Sequence, residues 1–256
     1  MRITAADLDA LERRFEGAEP LDILRFAQAT FGERAAILSS MQRAGAVVCH
    51  LADRAGLAFD VVFVDTGVLH AETLATRDAL AASHRRLHVV TLHPERTVAE
   101  QTAEEGLLYL GKEGQERCCD LRKSAPLRAI RGRYAALISA LRRDEGSARA
   151  GVRTFGLDPE MNALRVHPLA AMPRDALDRY LADHPDVTMN PLHSMGFPTI
   201  GCFTCTTPVR PDEPERAGRW RHLAGVEYCG INPVDRAVEA AVEIDDALAA
   251  RLFAAG

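Results

Sequence analysis

The chain has 256 residues, a formal net charge of −5 and 47% hydrophobic residues, which is enough length for one large α/β domain or two smaller ones. The acidic balance argues against a binder of duplex nucleic acid, because such proteins draw most of their affinity from basic residues on phosphates. No run of about 18 apolar residues occurs, so we expect no membrane span. The N-terminus lacks the apolar core of a signal peptide, and we therefore expect a cytoplasmic protein.

The first half of the chain alternates between helical and strand patterns. Apolar residues at helical spacing predict two helices within residues 1–30, separated near Pro20. Short apolar runs then predict four strands, at 35–38, 61–64, 87–92 and 135–141. Helical composition lies between them, at 71–83 and 97–106. This alternation predicts an α/β fold with a doubly wound, mostly parallel sheet.

The second half of the chain is less regular. We predict a short strand at 164–166 and a helix at 175–182. Six prolines between residues 183 and 216 make long regular elements improbable there. The Ala-rich stretch 235–253 carries apolar residues along one face and predicts a closing helix.

A polar turn, with Ser39 and Ser40, follows the first predicted strand. In an open parallel sheet such a turn lies at the carboxyl edge, where hydroxyls and backbone N–H groups at a helix start can meet an anion. Serine also caps helices that bind no ligand. The turn alone is therefore a weak indication of a phosphate site.

Two cysteine pairs, Cys118-Cys119 and Cys202 with Cys205, can supply four sulfurs to one site. In a reducing compartment such thiols are more often ligands than disulfides. Cys₄ zinc sites are common, whereas adjacent cysteines suit an iron–sulfur cluster whose iron atoms sit at different corners. The spacing leaves zinc and iron–sulfur ligation open, together with the simpler alternative of four unrelated buried thiols.

The two remaining cysteines have different surroundings. Cys49 lies inside a predicted helix and is most simply a small core residue. Cys229 precedes Gly230 and Asn232-Pro233, which predict a turn and hence an exposed thiol. Near arginine or lysine such a thiol has a lowered pKa and acts as a nucleophile, although an isolated cysteine is usually inert.

Basic residues crowd the middle of this acidic chain. They are Arg117, Arg122, Lys123, Arg128, Arg131, Arg133, Arg142, Arg143, Arg149 and Arg153. A solvated helix face explains such a run equally well. Their closeness to possible metal-ligand cysteines favours a small anionic substrate.

A set of motifs resembles the assimilatory sulfonucleotide reductases, which reduce adenylyl sulfate (APS) or phosphoadenylyl sulfate (PAPS). The motifs are Arg117-Cys118-Cys119 with Arg122-Lys123, Asn190-Pro191-Leu192-His193, Gly196 to Cys202, Cys205-Thr206, Arg216 to Trp220, and Cys229-Gly230. The likeness extends from about residue 21 to residue 232. Members with both cysteine pairs are APS reductases with a [4Fe-4S] cluster, so the resemblance implies iron and not zinc.

The resemblance also implies a role for each matching residue, on a sheet like that of the adenine-nucleotide α-hydrolases. Catalytic roles fall on Cys229 as nucleophile and on Lys123 between cluster and substrate. Substrate-binding roles fall on Ser39, Ser40, Asp65, Thr66, Gly67, Arg142, Arg143, Arg149, Arg216, Arg219 and Asn232. The cluster ligands are Cys118, Cys119, Cys202 and Cys205.

The implied reaction converts APS and a reduced dithiol into sulfite, AMP and a disulfide through a Cys229 thiosulfonate. Thioredoxin or glutaredoxin is the implied reductant. We expect residues 1–215 to form the nucleotide-binding and iron–sulfur domain and 216–256 a mobile C-terminal segment that carries the nucleophile. Alternatives are a dual APS/PAPS reductase, a non-catalytic iron–sulfur redox protein, or an enzyme that adenylates a substrate from ATP. The last would need a Ser-Gly-Gly-x-Asp-Ser turn, which residues 39–45 lack.

The chain departs from the family pattern at three places. Tyr228, Ile231 and Asn232 replace Glu, Leu and His around the C-terminal cysteine. The pair Met41-Gln42 replaces Phe-Gly in the phosphate turn, and Glu145-Gly146 replaces Gln-Ser. Asparagine donates a hydrogen bond but carries no positive charge. We expect the chemistry to survive, with the preference between APS and PAPS left open.

Overall fold

The secondary structure alternates as the sequence predicts, in a computed structural model that describes residues 1–146, 149–223 and 241–254. The strands are β1 Arg2–Thr4, β2 Ala35–Leu38, β3 Phe59–Val64, β4 Leu87–Leu92, β5 Ala136–Ile138, β6 Phe155–Asp158, β7 Ala163–Val166 and β8 Ala241–Glu243. The helices are α1 Ala5–Arg14, α2 Pro20–Phe31, α3 Arg43–Arg54, α4 Ala71–Ser83, α5 Val98–Glu105, α6 Lys112–Cys119, α7 Ala125–Arg128, α8 Arg174–Asp183 and α9 Asp246–Phe253. Among these residues no helix combines the length and apolar character needed to cross a membrane.

Six strands form the central sheet in the order β4-β3-β2-β5-β7-β6. The first five are parallel, and β6 pairs antiparallel with β7 at the edge. At the middle of the sheet Ile37 lies opposite Val61 on one side and Ile138 on the other. The doubly wound, mostly parallel sheet is therefore confirmed, with one antiparallel edge strand that the sequence did not indicate.

Both faces of this sheet are covered, as parallel strands require. Alternate residues along a strand point to opposite faces, so Ile37 and Val61 join the larger core while Ala36 and Val62 join the smaller one. The larger core includes apolar residues of α1, α2, α3, α4, α8 and α9. The smaller core is closed by Leu127 of α7 and neighbouring side chains.

The order of the strands reverses beside β2. The chain passes from β2 outward to β3 and β4, then returns to β5 on the other side of β2. In open α/β sheets ligands bind in the crevice outside the carboxyl ends of the strands at such a reversal. The turns after β2, β3 and β5 therefore surround the expected binding site.

The closing helix predicted over 235–253 is wrong at residues 241–243, because those residues form β8 and pair antiparallel with β1. Helix α9 begins only at Asp246, after Asp245, whose side chain accepts a hydrogen bond from the Leu248 amide at 2.8 Å. Residues 235–240 lie outside the described residues. The boundary expected at 215/216 stays a prediction; residues 241–254 pack on the N-terminal elements β1 and α2.

Candidate substrate cavity and cysteine site

A cavity of about 680 Å³ opens at the carboxyl ends of β2, β3 and β5, where the strand order reverses. Its volume is typical of pockets that bind small molecules. Eight of the substrate-binding and catalytic residues expected from the sequence line it. They are Ser39, Ser40, Thr66, Lys123, Arg142, Arg149, Arg216 and Arg219.

The turn after β2 forms one wall of this cavity together with the N-terminus of α3. The Ser39 hydroxyl accepts a hydrogen bond from the Met41 amide at 3.2 Å. Met41 has a left-handed backbone with φ of 55°, and its side chain is buried. Such a conformation is uncommon for a residue other than glycine, and strained residues of this kind cluster at functional sites. The Ser39 hydroxyl lies 3.8 Å from the buried sulfur of Met41, so this side chain packs against the turn.

In the turn after β3, two of the expected residues stabilise the turn and one lines the cavity. Asp65 accepts a hydrogen bond from the Gly67 amide at 2.9 Å, and Gly67 has a φ of 74°, so these two residues build the turn and do not line the cavity. Thr66 does line it, and its hydroxyl lies 3.4 Å from the sulfur of Cys202. Its carbonyl accepts a hydrogen bond from the buried Arg122 guanidinium. Thr66 thus contacts both the substrate cavity and the cysteine loop.

Arg142 follows β5 and points into the cavity with almost complete burial, at 4% exposure. Its Nε donates to Asp144 at 3.1 Å, while Nη1 is buried without a hydrogen-bond partner among the described residues. A buried charged donor without a partner is costly. Arg142 is therefore suited to an anionic ligand that supplies the missing acceptor.

The other two arginines of the loop after β5 differ in where their side chains lie. Arg149 lines the cavity and forms an ion pair with Glu145. Arg143 donates from Nε to the carbonyl oxygen of Val152 at 2.7 Å and does not line the cavity. Of the three arginines in this loop that were expected to bind substrate, two line the cavity and one supports the loop.

Arg216 and Arg219, which follow the cysteine loop in the chain, also line the cavity. The Arg219 guanidinium lies 4.4 Å from the centre of the Trp220 ring, and that of Arg216 lies 5.8 Å from it. Arg219 donates from Nη1 to the carbonyl oxygen of Ile200 at 3.3 Å. Its Nε is buried without a hydrogen-bond partner in the described parts of the chain. The aromatic ring and this carbonyl fix the orientation of Arg219, as an anion-binding guanidinium needs.

All four paired cysteines line a second, much smaller cavity beside the first. Cys118 and Cys119 end helix α6, and the chain continues into a π-helical turn, Asp120–Ser124. Single π turns inside helices frequently mark functional sites. The turn carries Lys123, which is buried and lines both cavities.

The loop that carries Cys202 and Cys205 is held against the turn after β3. The amide of Phe203 donates to the carbonyl oxygen of Val68 at 2.9 Å, and Cys202 forms an isolated bridge with Leu69. The amide of Cys205 donates to the carbonyl oxygen of Cys202 at 3.0 Å and closes the turn between the two thiols. These bonds hold the loop against the turn after β3, where its two cysteines line the smaller cavity together with Cys118 and Cys119.

The surroundings of the thiols fit an anionic, sulfur-ligated group. Burial raises the pKa of the Cys118 and Cys205 thiols, and the nearby Cys202 raises both further. Arg122 and Lys123 oppose this for Cys118 and are themselves buried. Four sulfurs with buried cations match the donor set of an iron–sulfur cluster, whose charge such neighbours reduce.

Two glutamines also contact these sulfurs. Gln115 donates from Nε2 to Cys119 Sγ at 3.0 Å, and Gln101 donates to Cys118 Sγ at 3.9 Å. Within the described ranges, no three His, Cys, Asp or Glu side chains are arranged to hold a metal ion. A lone zinc needs four ligands that converge at about 2.3 Å, an arrangement that these described residues do not show.

His193 is a cavity residue to which the sequence assigned no role, although it stands in one of the motifs. Its Nε2 accepts a hydrogen bond from the Arg43 amide at 3.2 Å, so Nδ1 carries the proton and donates to the carbonyl oxygen of Phe197 at 2.8 Å. Burial lowers the pKa of His193 to about 4. This neutral imidazole joins the start of α3 to the 191–197 turn.

Cys229 and Asn232, to which the resemblance assigned the nucleophile and a sulfate contact, lie outside the described residues, as does Tyr228. Cys49 is buried in the core, as expected. Burial raises the pKa of its thiol to about 12.

Known proteins match this chain over most of its length. Residues 34–208 match the phosphoadenosine phosphosulfate reductase domain family. An adenosine 5'-phosphosulfate reductase of Streptomyces coelicolor is 41% identical over 233 residues, covering 90% of this chain and 96% of the relative. One of Mycobacteroides abscessus is 36% identical over 237 residues, covering 90% and 97%.

A solved structure shares the fold. The phosphoadenylyl-sulfate reductase of Candida auris, crystallised as a phosphate complex, superposes with a TM-score of 0.68. The match covers 80% of this chain and 98% of the other at 19% sequence identity. At that identity the likeness concerns the fold alone.

Proposed function

Because the chain belongs to the phosphoadenosine phosphosulfate reductase family, we propose that it reduces adenylyl sulfate to sulfite and AMP in sulfate assimilation, with a thiol as electron donor. The position of Lys123 carries the proposal. Its buried side chain borders both the nucleotide-sized cavity and the cavity of the four cysteines. The two relatives described above, both named adenosine 5'-phosphosulfate reductases, support APS as the substrate.

The cations of the larger cavity would bind the phosphosulfate. Arg142 and Arg219 each offer a buried N–H group that lacks a hydrogen-bond partner among the described residues. Lys123 lies on the side of the cysteines. Fixed cations in a water-poor site stabilise charge that develops on a leaving phosphate. Ser39, Ser40 and Thr66 line the same cavity, and the Ser40 hydroxyl would donate to the phosphosulfate.

The first chemical step would be attack by the Cys229 thiolate on the sulfur of APS. A sulfur–sulfur bond forms, and the bond between that sulfur and the bridging oxygen breaks. AMP leaves with the electron pair on its phosphate, and the enzyme retains a thiosulfonate. Lys123 and the arginines would neutralise the charge on the leaving phosphate. Cys229 would need to move between the cavity and the reductant.

In the second step a thiolate of reduced thioredoxin or glutaredoxin would attack the Cys229 sulfur. Sulfite leaves with the electron pair of the sulfur–sulfur bond, and a mixed disulfide forms. The second thiol of the reductant then releases Cys229 and completes a disulfide. The dithiol thus supplies the two electrons, and the sulfate group becomes sulfite. We propose that this occurs in the cytoplasm, where such dithiols are kept reduced.

Cys118, Cys119, Cys202 and Cys205 would hold a [4Fe-4S] cluster. When bound, it would supply a fixed electrostatic field that polarises the site, without passing electrons. The π-helical turn that directly follows Cys119 would keep Lys123 buried between the sulfurs and the substrate.

The test is sulfite release by anaerobically purified protein with reduced thioredoxin, using APS and PAPS in parallel. We expect sulfite from APS, and sulfite from both substrates would support the dual APS/PAPS alternative. Cys229→Ser should release none, while Cys49→Ala, which changes a buried core thiol, should retain activity. Sulfite release by Cys229→Ser at the wild-type rate would overturn the mechanism. APS binding without sulfite would favour a non-catalytic redox protein.

A further inference from the structure

Gln42 replaces the glycine that the family usually has in the phosphate turn, and it makes two side-chain hydrogen bonds at the rim of the substrate cavity. It immediately precedes α3 but does not cap that helix with its side chain. Instead Oε1 accepts a hydrogen bond from the Ile200 amide at 2.9 Å, and Nε2 donates to the Ser40 hydroxyl at 2.8 Å. The side chain therefore joins the turn after β2 to the loop that leads into Cys202.

The orientation of this amide is fixed by chemistry. A backbone N–H is only a donor, so the atom facing the Ile200 amide must be the carbonyl oxygen of Gln42. The NH₂ group then faces Ser40, whose oxygen accepts. Because a hydroxyl has one proton, and Ser40 has no other hydrogen-bond partner in the described part of the chain, the exposed Ser40 hydroxyl is free to donate to a ligand at the rim of the cavity.

The other end of the bridge reaches a second cavity residue. The carbonyl oxygen of Ile200 accepts a hydrogen bond from Arg219 Nη1 at 3.3 Å. Ile200 thus donates its N–H to Gln42 and accepts a hydrogen bond from Arg219 at its carbonyl oxygen. Three hydrogen bonds thus connect Ser40 through Gln42 and the Ile200 peptide groups to Arg219, and both end residues line the cavity.

From this geometry we infer that Gln42 is a positioning residue, which directs the Ser40 proton into the cavity and sets the separation of Ser40 from Arg219. The inference rests on the proposed function, in that both groups contact the phosphosulfate of the substrate. Gln42 acts on substrate binding through these two neighbours and does not contact the reacting atoms.

Two substitutions separate the two bonds. Gln42→Met keeps a similar length and loses both hydrogen bonds. Gln42→Glu keeps an acceptor for the Ile200 amide but cannot donate to Ser40, so the Ser40 hydroxyl donates to the carboxylate and turns its proton away from the cavity. A Ser40 hydroxyl that no longer donates to the substrate removes one neutral hydrogen bond, which corresponds to about tenfold weaker binding. We expect that loss for Gln42→Met and a larger one for Gln42→Glu, which adds a negative charge.

The readouts are KM and kcat for APS, the Kd of APS measured by calorimetry in a Cys229→Ser background, iron content, and thermal midpoint. We expect KM and Kd to rise about tenfold while kcat stays within about threefold and iron content is unchanged. Gln28→Met is the matched control, because Gln28 donates to the Ala58 carbonyl at an exposed site. Ser40→Ala should reduce the effect of Gln42→Glu in a double-mutant cycle.

Wild-type affinity in both Gln42 variants would overturn the inference, as would a loss of kcat and iron content in parallel with binding, which indicates a purely structural role. If Gln42→Met does not fold, Gln42→Glu, which retains the Ile200 bond, decides the question. If the wild-type protein releases no sulfite from APS, the proposed function fails. If it does and the variants bind normally, only the role of Gln42 fails.

Discussion

Gly201→Ala should weaken substrate binding by displacing Arg219. A Cβ atom at residue 201 would lie 2.6 Å from Arg219 Nη2 and 2.9 Å from Thr206 Oγ1. Ordinary contacts are about 3.5 Å or longer, so the guanidinium must move by about 1 Å. Gly201 does not have a positive φ, so alanine adds no backbone strain. Losing one hydrogen bond from a charged group to the substrate corresponds to about 1.5–3 kcal/mol, or roughly 10- to 150-fold in affinity.

Steady-state sulfite release from APS measures this effect, with iron content as a check on the neighbouring Cys202. We expect KM to rise at least tenfold at unchanged iron content. Gly151→Ala is the control, because a Cβ there would meet nothing within 4 Å. In an Arg219→Ala background the Gly201 substitution should have little further effect. A KM within twofold of the wild-type value would refute the assigned role of Arg219.

Two further predictions concern stability, measured by urea unfolding. Burial lowers the pKa of His193 from 6.5 to about 4. Between these two pH values the imidazole binds a proton only in the unfolded chain. The free energy of unfolding should therefore be highest above pH 6.5 and fall by about 3 kcal/mol toward pH 4. His193→Gln should remove that part of the decline, and an unchanged pH profile would contradict this. Asp158→Ala removes the buried partner that accepts from Arg165 Nε at 2.8 Å, which should cost about 3–5 kcal/mol. A loss below about 1 kcal/mol would show that this buried ion pair does not stabilise the fold as expected.

The parallel strands could be predicted because they are short and mostly apolar, and β2 and β3 are largely buried on both faces. Residues 35–38, 61–64 and 87–92 are short apolar runs, and β2, β3 and β4 coincide with them or extend them slightly. The amino-acid composition of such strands is enough to predict them. Their order in the sheet needed the structure.

The short antiparallel strands could not be predicted. Strands β1 and β8 have three residues each and exist because they pair with one another across almost the whole chain. The Ala-rich neighbourhood of residues 241–243 suggested a helix, and tertiary pairing overrides such a propensity. Strand β6, with the sequence Phe-Gly-Leu-Asp, has too little pattern to reveal an edge strand.

At the site, the sequence indicated which residues matter better than how they are arranged. Ser39, Thr66 and Lys123 line the cavity that their motifs suggested, whereas Arg143 donates to a backbone carbonyl oxygen. The sequence could not predict this difference, because a run of arginines does not specify which side chain faces inward. Gln42 seemed only a departure from the family pattern. Its role depends on the Ile200 amide, 158 residues away along the chain.

The central claim is that two distant cysteine pairs hold one iron–sulfur cluster beside a sulfonucleotide. Its most direct test is iron, sulfide and zinc analysis of anaerobically purified protein, for the wild type, Cys202→Ser and Cys49→Ala. We predict about four iron and four sulfide atoms per chain in the wild type and in Cys49→Ala, and loss of both elements in Cys202→Ser. A single zinc per chain without sulfide, or full iron content in Cys202→Ser, would contradict the account.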